Sequence, residues 1–228
     1  VDNRHARRSA CAPLTASAEF ARLRLSLIGL VLALGFPLLP LSRWEDEFRD
    51  VAHLVGYELI WWAVVAGLAL HVAQVERRPL DSIGLRPLRP FDYVCALGAA
   101  AVMMAGLPLF YLVLFHPAGT QEGAAISNLA STPLWWRLAS VVRAATAEEL
   151  LFRGYGFERL KDFSGSATAA LVTWAAFTIA HVGAWGWAHL VVAGFGGAVL
   201  TALYVWRRNL TANILAHLIV DGCAVLFV

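Results

Sequence analysis

Residues 91–115, FDYVCALGAAAVMMAGLPLFYLVLF, carry one charged side chain, Asp92, near their start and are otherwise apolar or small. A hydrocarbon core about 30 Å thick is crossed by roughly 20 residues of helix at about 1.5 Å each, so this stretch is long enough to span a bilayer. Outward from it, six more apolar segments fall at 22–41, 51–75, 134–153, 166–182, 187–206 and 210–228. The 228 residues are 59% hydrophobic and 15% charged, with a mean hydropathy of +0.64. Soluble domains run at about 45–50% apolar and about 25% charged, and a water-soluble globule of this length does not cover so much apolar surface. The expected fold class is all-α, a polytopic transmembrane helical bundle of about seven spans.

Trp44, Trp135, Trp136, Trp185, Trp187 and Trp206 fall near proposed segment ends, where amphipathic rings favour the headgroup level. The net charge of +2 is small, and seventeen arginines against one lysine, Lys161, read as the codon bias of a bacterial chain rather than a nucleic-acid patch. Placement carries more information. With the N-terminus inside, the inner side collects Arg4, Arg7, Arg8, Arg22, Arg24, Arg77, Arg78, Arg86, Arg89, Arg153, Arg159, Lys161, Arg207 and Arg208. Arg43, Arg49, Arg137 and Arg143 remain, the last inside a helix. Cytoplasmic loops hold the basic excess, which predicts a cytoplasmic N-terminus, an odd number of spans and residence in a bacterial cytoplasmic membrane.

Arg4, Arg7 and Arg8 before residues 25–41 resemble a secretory signal, but that stretch is long and 36–41 has no small-residue cleavage site, so a retained first helix is expected. Cys11, Cys95 and Cys223 lie far apart with no CxxC, which suggests neither a disulfide framework nor a zinc knuckle. Residues 117–132 are rich in Gly, Ala and Ser without a motif and read as a loop. Two regions are expected: 1–133, an N-terminal cytoplasmic segment with three spans, and 134–228, a four-span region that holds the chemistry.

Ionisable residues inside apolar helices cost about 2.5–3.5 kcal/mol each and are functional candidates by default. Glu148-Glu149-Leu150-Leu151-Phe152-Arg153 closes the segment begun at Leu134. Glu149 and Arg153, four apart, share a helical face with the carboxylate on the favourable N-terminal side. Glu148, turned about 100° away, is left without a local basic partner, which suits a general base. These charges equally suit a helix end at the interface. Phe177-Thr178-Ile179-Ala180-His181 puts an aromatic ring and an imidazole on one face, where a lone histidine is as easily a hydrogen-bonded core residue. His217-Leu218-Ile219-Val220-Asp221 sets a carboxylate one turn from an imidazole, an arrangement that fixes a tautomer or ties helices together.

In order on three segments, Glu-Glu-x-x-x-Arg, Phe-x-x-x-His and His-x-x-x-Asp resemble the motifs of the CPBP intramembrane peptidases, the group that contains the CAAX prenyl endopeptidases. The matching positions are Glu148, Glu149, Arg153, Phe177, His181, His217 and Asp221, with Phe152-Arg153-Gly154 and residues 208–217 also similar. The resemblance covers roughly 134–228, with Ser82-Ile83-Gly84-Leu85-Arg86 faintly similar to a loop before the family domain. It implies a helical membrane fold in which the first glutamate and a histidine activate water within a cavity. Asp221 stands where many members carry Asn.

From the resemblance, Glu148 with His181 is expected to deprotonate the attacking water, His217 to stabilise the oxyanion or protonate the leaving amine, and Asp221 to position His217. Glu149, Arg153 and Phe177 are expected to support them. Helix rise puts Glu148 about 9 Å, His217 about 10 Å and Asp221 about 16 Å from the inner membrane edge. His181 falls about 22 Å from residue 166, or about 16 Å if that helix enters at Ala170. The four are thus expected around one cavity on the cytoplasmic half. The substrate would be a membrane-associated protein or peptide, with no nucleic-acid partner and no cofactor. Two imidazoles and a carboxylate leave a zinc-dependent protease as a rival, although no HExxH is present. A non-enzymatic scaffold or immunity factor of the same fold, or a proton-coupled carrier, is the alternative of another class.

Overall fold

The computed structural model describes residues 16–39, 41, 50–113 and 121–226. Every regular element among them is helical: α1 (Ala16–Gly35); α2 (Val51–Leu70), extended by a π turn over His71–Val75; α3 (Pro90–Val113); α4 (Gln121–Ala130); α5 (Leu134–Glu148), continued by π geometry over Glu149–Phe157; α6 (Glu158–Ala180); the short α7 (Val182–Trp185); α8 (Leu190–Arg207); and α9 (Leu210–Leu226). Local chemistry sets several boundaries. Asp50 caps α2 by accepting from the His53 amide at 3.1 Å, Pro90 opens α3 where its missing N–H costs nothing, and Arg208 ends α8 in the left-handed region at φ 51°.

Several charged groups are inside and many large apolar groups outside, unlike a soluble domain. Glu149, Arg153 and Arg159 are buried, while Ile28, Val31, Leu59, Val94, Leu97 and Leu171 are exposed. Lipid solvates such a surface, and the buried charges must then find partners within the bundle. Four stretches are long and apolar enough to cross a membrane: Val51–Val75, Pro90–Phe110, Leu134–Trp185 and Trp187–Arg207. Arg24–Leu38 and Leu210–Val225 are shorter apolar helices. The chain is therefore an all-helical integral membrane protein.

Three sequence expectations are corrected. The helix begun at Leu134 does not end at residue 153: it runs on through the π segment into α6 and breaks at Gly165, whose φ of 79° is open to glycine and strained for other residues. The rest of α6 folds back, so that Phe177 packs edge-on against Phe152 with ring centroids 5.4 Å apart. Part of the expected loop at 117–132 is helix α4, packed on α7; residues 117–120 lie outside the described ones. Trp136, expected at an interface, is buried in the core, whereas Trp135, Trp187 and Trp206 are exposed. Trp44, Arg43, Arg49, Arg4, Arg7, Arg8 and Cys11 lie outside the described residues. Cys95 and Cys223 are free thiols.

The bundle has two distinct ends. At one, Arg78 pairs with Asp162 at 2.9 Å and Arg207 with Asp92 at 2.9 Å. There too Arg208 reaches Ser166, and Arg159 binds Glu76, which also accepts from Tyr155 and Ser26. At the other, Gln121 of α4 donates to the Gly183 carbonyl and Arg137 of α5 to that of Val225. The basic collar and the α4–α7 cap thus sit at opposite ends.

Candidate active site

Successive residues of a helix diverge, and the two glutamates accordingly enter different surroundings. Glu149 is fully buried. Its Oε1 accepts from Arg153 Nη1 at 2.9 Å and His217 Nδ1 at 3.0 Å, and its Oε2 accepts from Asn213 Nδ2 at 3.1 Å. The Arg153 guanidinium also donates to the Gly197 carbonyl at 3.0 Å and lies 4.0 Å above the Phe177 ring. A Cβ on Gly197 would stand 2.8 Å from Phe177 Cδ1, so a glycine is what lets α8 come this close. Glu149 therefore joins α5 to α9 through His217 and Asn213, a link the i,i+4 pattern could not contain.

Glu148 faces His181. Its Oε2 lies 3.8 Å from His181 Nε2 and, although buried, makes no hydrogen bond among the described residues. His181 Nδ1 donates to the Phe177 carbonyl at 2.8 Å. A carbonyl only accepts, so Nδ1 carries a proton, and Nε2 is the ring nitrogen turned toward Glu148. Phe177 also stands between the histidines, with ring centroids 4.6 Å from His181 and 6.5 Å from His217. His217 Nε2 lies 3.3 Å from Asp221 Oδ2. With carboxylates on both sides of it, His217 holds both contacts only as an imidazolium or opposite a protonated Asp221.

All seven residues singled out in the sequence meet in one region. His181, His217, Asp221 and Phe177 line a cavity of about 650 Å³. Glu148 is not in the cavity wall and meets the group beside His181. The rest of the wall is mostly apolar, including Met103, Leu107, Ile126, Leu129, Val192 and Leu200.

The cavity runs to the α4–α7 end, where Leu129, Thr132, Trp185 and Val225 line it. That is the end opposite the basic collar, so the expected cavity on the arginine-rich half is not what the fold builds. The depth estimate erred because it began a new span at 166 and ended the previous one at 153. The helix instead turns at Gly165, and Glu148 and His181 stand nearly the same number of residues either side of that turn.

Three contributors were missed. Arg143 bonds Glu58 at 2.9 Å and faces the cavity beneath Tyr57 and Trp61. Asn213 holds Glu149. His189 also lines the cavity, with Nδ1 2.8 Å from Oε1 of the buried Glu122 on α4. The rule that ionisable residues in apolar segments are candidates reaches His189 and Arg143 as well once it is applied to every segment. Among the described residues, no group of three or more His, Cys, Asp or Glu side chains is arranged to hold a metal ion.

Buried ion pairs around histidines at the wall of a cavity inside an apolar helical bundle mark this cluster as the candidate functional site. Residues 130–223 match the family model described as type II CAAX prenyl endopeptidase Rce1-like. This stretch carries Glu148, Glu149, Arg153, Phe177, His181, His217 and Asp221 and is similar to the Rce1-like CAAX protease family. No curated protein and no solved structure matches the chain.

Proposed function

We propose that the chain is an intramembrane endopeptidase that hydrolyses a peptide bond of a membrane-associated protein with water activated by Glu148 and His181. The observation that carries this reading is the 3.8 Å approach of an otherwise unbonded carboxylate oxygen to the imidazole Nε2. With His181 neutral, the two groups are acceptors on separate helices and suit a water that donates to both. As that water attacks the carbonyl, one proton passes to Glu148 and the carbonyl π pair becomes the oxyanion. His217 stabilises the oxyanion by sharing its Nε2 proton between it and Asp221, which holds the ring plane. Collapse of the intermediate breaks the C–N bond. Glu149, Arg153 and Phe177 hold His217 and His181 in register, and the mostly apolar cavity suits a segment delivered from lipid.

The test is cleavage of a peptide library by the purified protein in proteoliposomes, read by mass spectrometry alongside metal content. Asp221→Asn keeps an acceptor oxygen of similar size, so its variant is expected to retain a measurable fraction of activity and Asp221→Ala less. A metal ligand would behave otherwise, because an amide is a weaker donor than a carboxylate. Loss of activity and bound metal together in Asp221→Asn, with rescue by zinc, would replace this mechanism with a zinc-dependent one.

With Leu134–Trp185 crossing twice and each shorter apolar helix once, the chain passes the membrane seven times. The basic collar supports a topology with residues 76–89 in the cytoplasm and 117–132 outside, in which the cavity is entered from the non-cytoplasmic side. In a chain cleared of native cysteines, an impermeant thiol reagent is expected to label Ser131→Cys but not Asp81→Cys in intact cells. The opposite pattern would invert the orientation and bring the cavity to the cytoplasm.

A further inference from the structure

The reaction above leaves one proton without a carrier, the one the departing amine must take. His217 has both ring nitrogens against carboxylates, and His181 has Nδ1 on a carbonyl and Nε2 toward Glu148. His189 is differently placed. Its ring stacks on His181, with centroids 5.7 Å apart and planes 18° from parallel, and on Trp185 at 5.1 Å and 20°. Its Nδ1 is bound to Glu122 Oε1 at 2.8 Å, and the ring lines the cavity that His181, His217 and Asp221 share. A carboxylate accepts, so Nδ1 carries a proton and Nε2 is the ring nitrogen left to face a ligand.

We propose that His189 is a third histidine of this site and delivers the proton to the leaving amine through Nε2, with Glu122 of α4 as its positioning residue. The inference rests on the endopeptidase reading. In the step, Nε2 of His189 takes up the proton that water gave to Glu148. The C–N bond then breaks, its electron pair stays on nitrogen, and nitrogen takes that proton from Nε2, so water supplies one hydrogen to the new amine and one to the new carboxyl group. The stack of His181 on His189 sets the water-activating and amine-protonating groups side by side, and both sit at the end of the cavity that α4 covers. Because Glu122 lies on α4, the donor is in register only while α4 is seated on α7, which couples access to the cavity with competence for cleavage.

A proton donor to the leaving group is distinguished from a structural residue by the bond it acts on. His189→Asn keeps an N–H near the Nδ1 position for Glu122 and removes the Nε2 donor. A peptide cleaved by the wild type is resynthesised with a 4-nitroanilide at the scissile position, whose weakly basic nitrogen departs without being protonated. The His189→Asn enzyme is expected to lose about 10²-fold or more in kcat on the amide, with little change in KM. On the anilide it is expected to stay close to wild type, which also shows that the variant is folded. His189→Gln should behave alike, and Glu122→Gln, which keeps an acceptor, should lose less. Equal losses on amide and anilide in both His189 variants, or full activity on the amide, would overturn the assignment. A wild type that cleaves no library peptide would overturn the endopeptidase reading itself.

Discussion

Glu148→Gln is expected to lower the cleavage rate by about 10²–10⁴-fold, the usual contribution of a general base, while thermal unfolding of the protein stays close to wild type. Glu148 Oε2 has no hydrogen-bond partner among the described residues, so the amide takes no hydrogen bond at this oxygen from the fold. His181 also keeps its own anchor, the Phe177 carbonyl. What disappears is the acceptor facing Nε2. Initial rates on a library peptide, with differential scanning fluorimetry of the same preparation, separate the two effects. A Glu148→Gln enzyme that still cleaves at the wild-type rate would remove Glu148 from the chemistry.

Glu149→Gln is expected to act through the fold. Arg153, Asn213 and His217 all donate to this carboxylate, and neither Glu149 nor Arg153 is exposed at all. Neutralising it leaves a buried guanidinium without its anion, which costs about 3–5 kcal/mol. It also turns an amide N–H₂ toward one of the three donors. The variant should show a depressed unfolding temperature and less folded protein, with activity lost alongside because His217 loses its Nδ1 acceptor. Glu149→Gln combined with Arg153→Met removes both halves of the pair and should recover much of the stability without the activity, as apolar replacements of buried pairs often do. If Glu149→Gln alone were stable and fully inactive while Glu148→Gln stayed active, the two roles would be exchanged.

The parts of the site that were legible in the sequence are those within one turn of a helix. Glu149 with Arg153, Phe177 with His181 and His217 with Asp221 are i,i+4 pairs, and each is in contact in the structure. Contacts between helices were not legible as distances. Glu148 meets His181 only because the chain turns back at Gly165, and Gly165 sits in a polar stretch, Lys161 to Ser166, that reads as an ordinary loop between two spans. Helix α4 was missed for a different reason. Gly123, Ser127 and Asn128 dilute its apolar face, and it is packing on α7 rather than helix propensity that supports it. With α4 unseen, Glu122 had no reason to be near a histidine, and His189 read as the start of a span.

The central claim, that Glu148 drives peptide-bond hydrolysis in the membrane, is tested most directly by mass spectrometry of protein termini. The samples are membranes from cells that carry either the wild-type chain or Glu148→Gln at equal abundance. A defined set of new N-termini present with the wild type and absent with Glu148→Gln is the predicted result. Identical sets of termini in the two membranes would contradict it and leave a helical membrane protein without proteolysis.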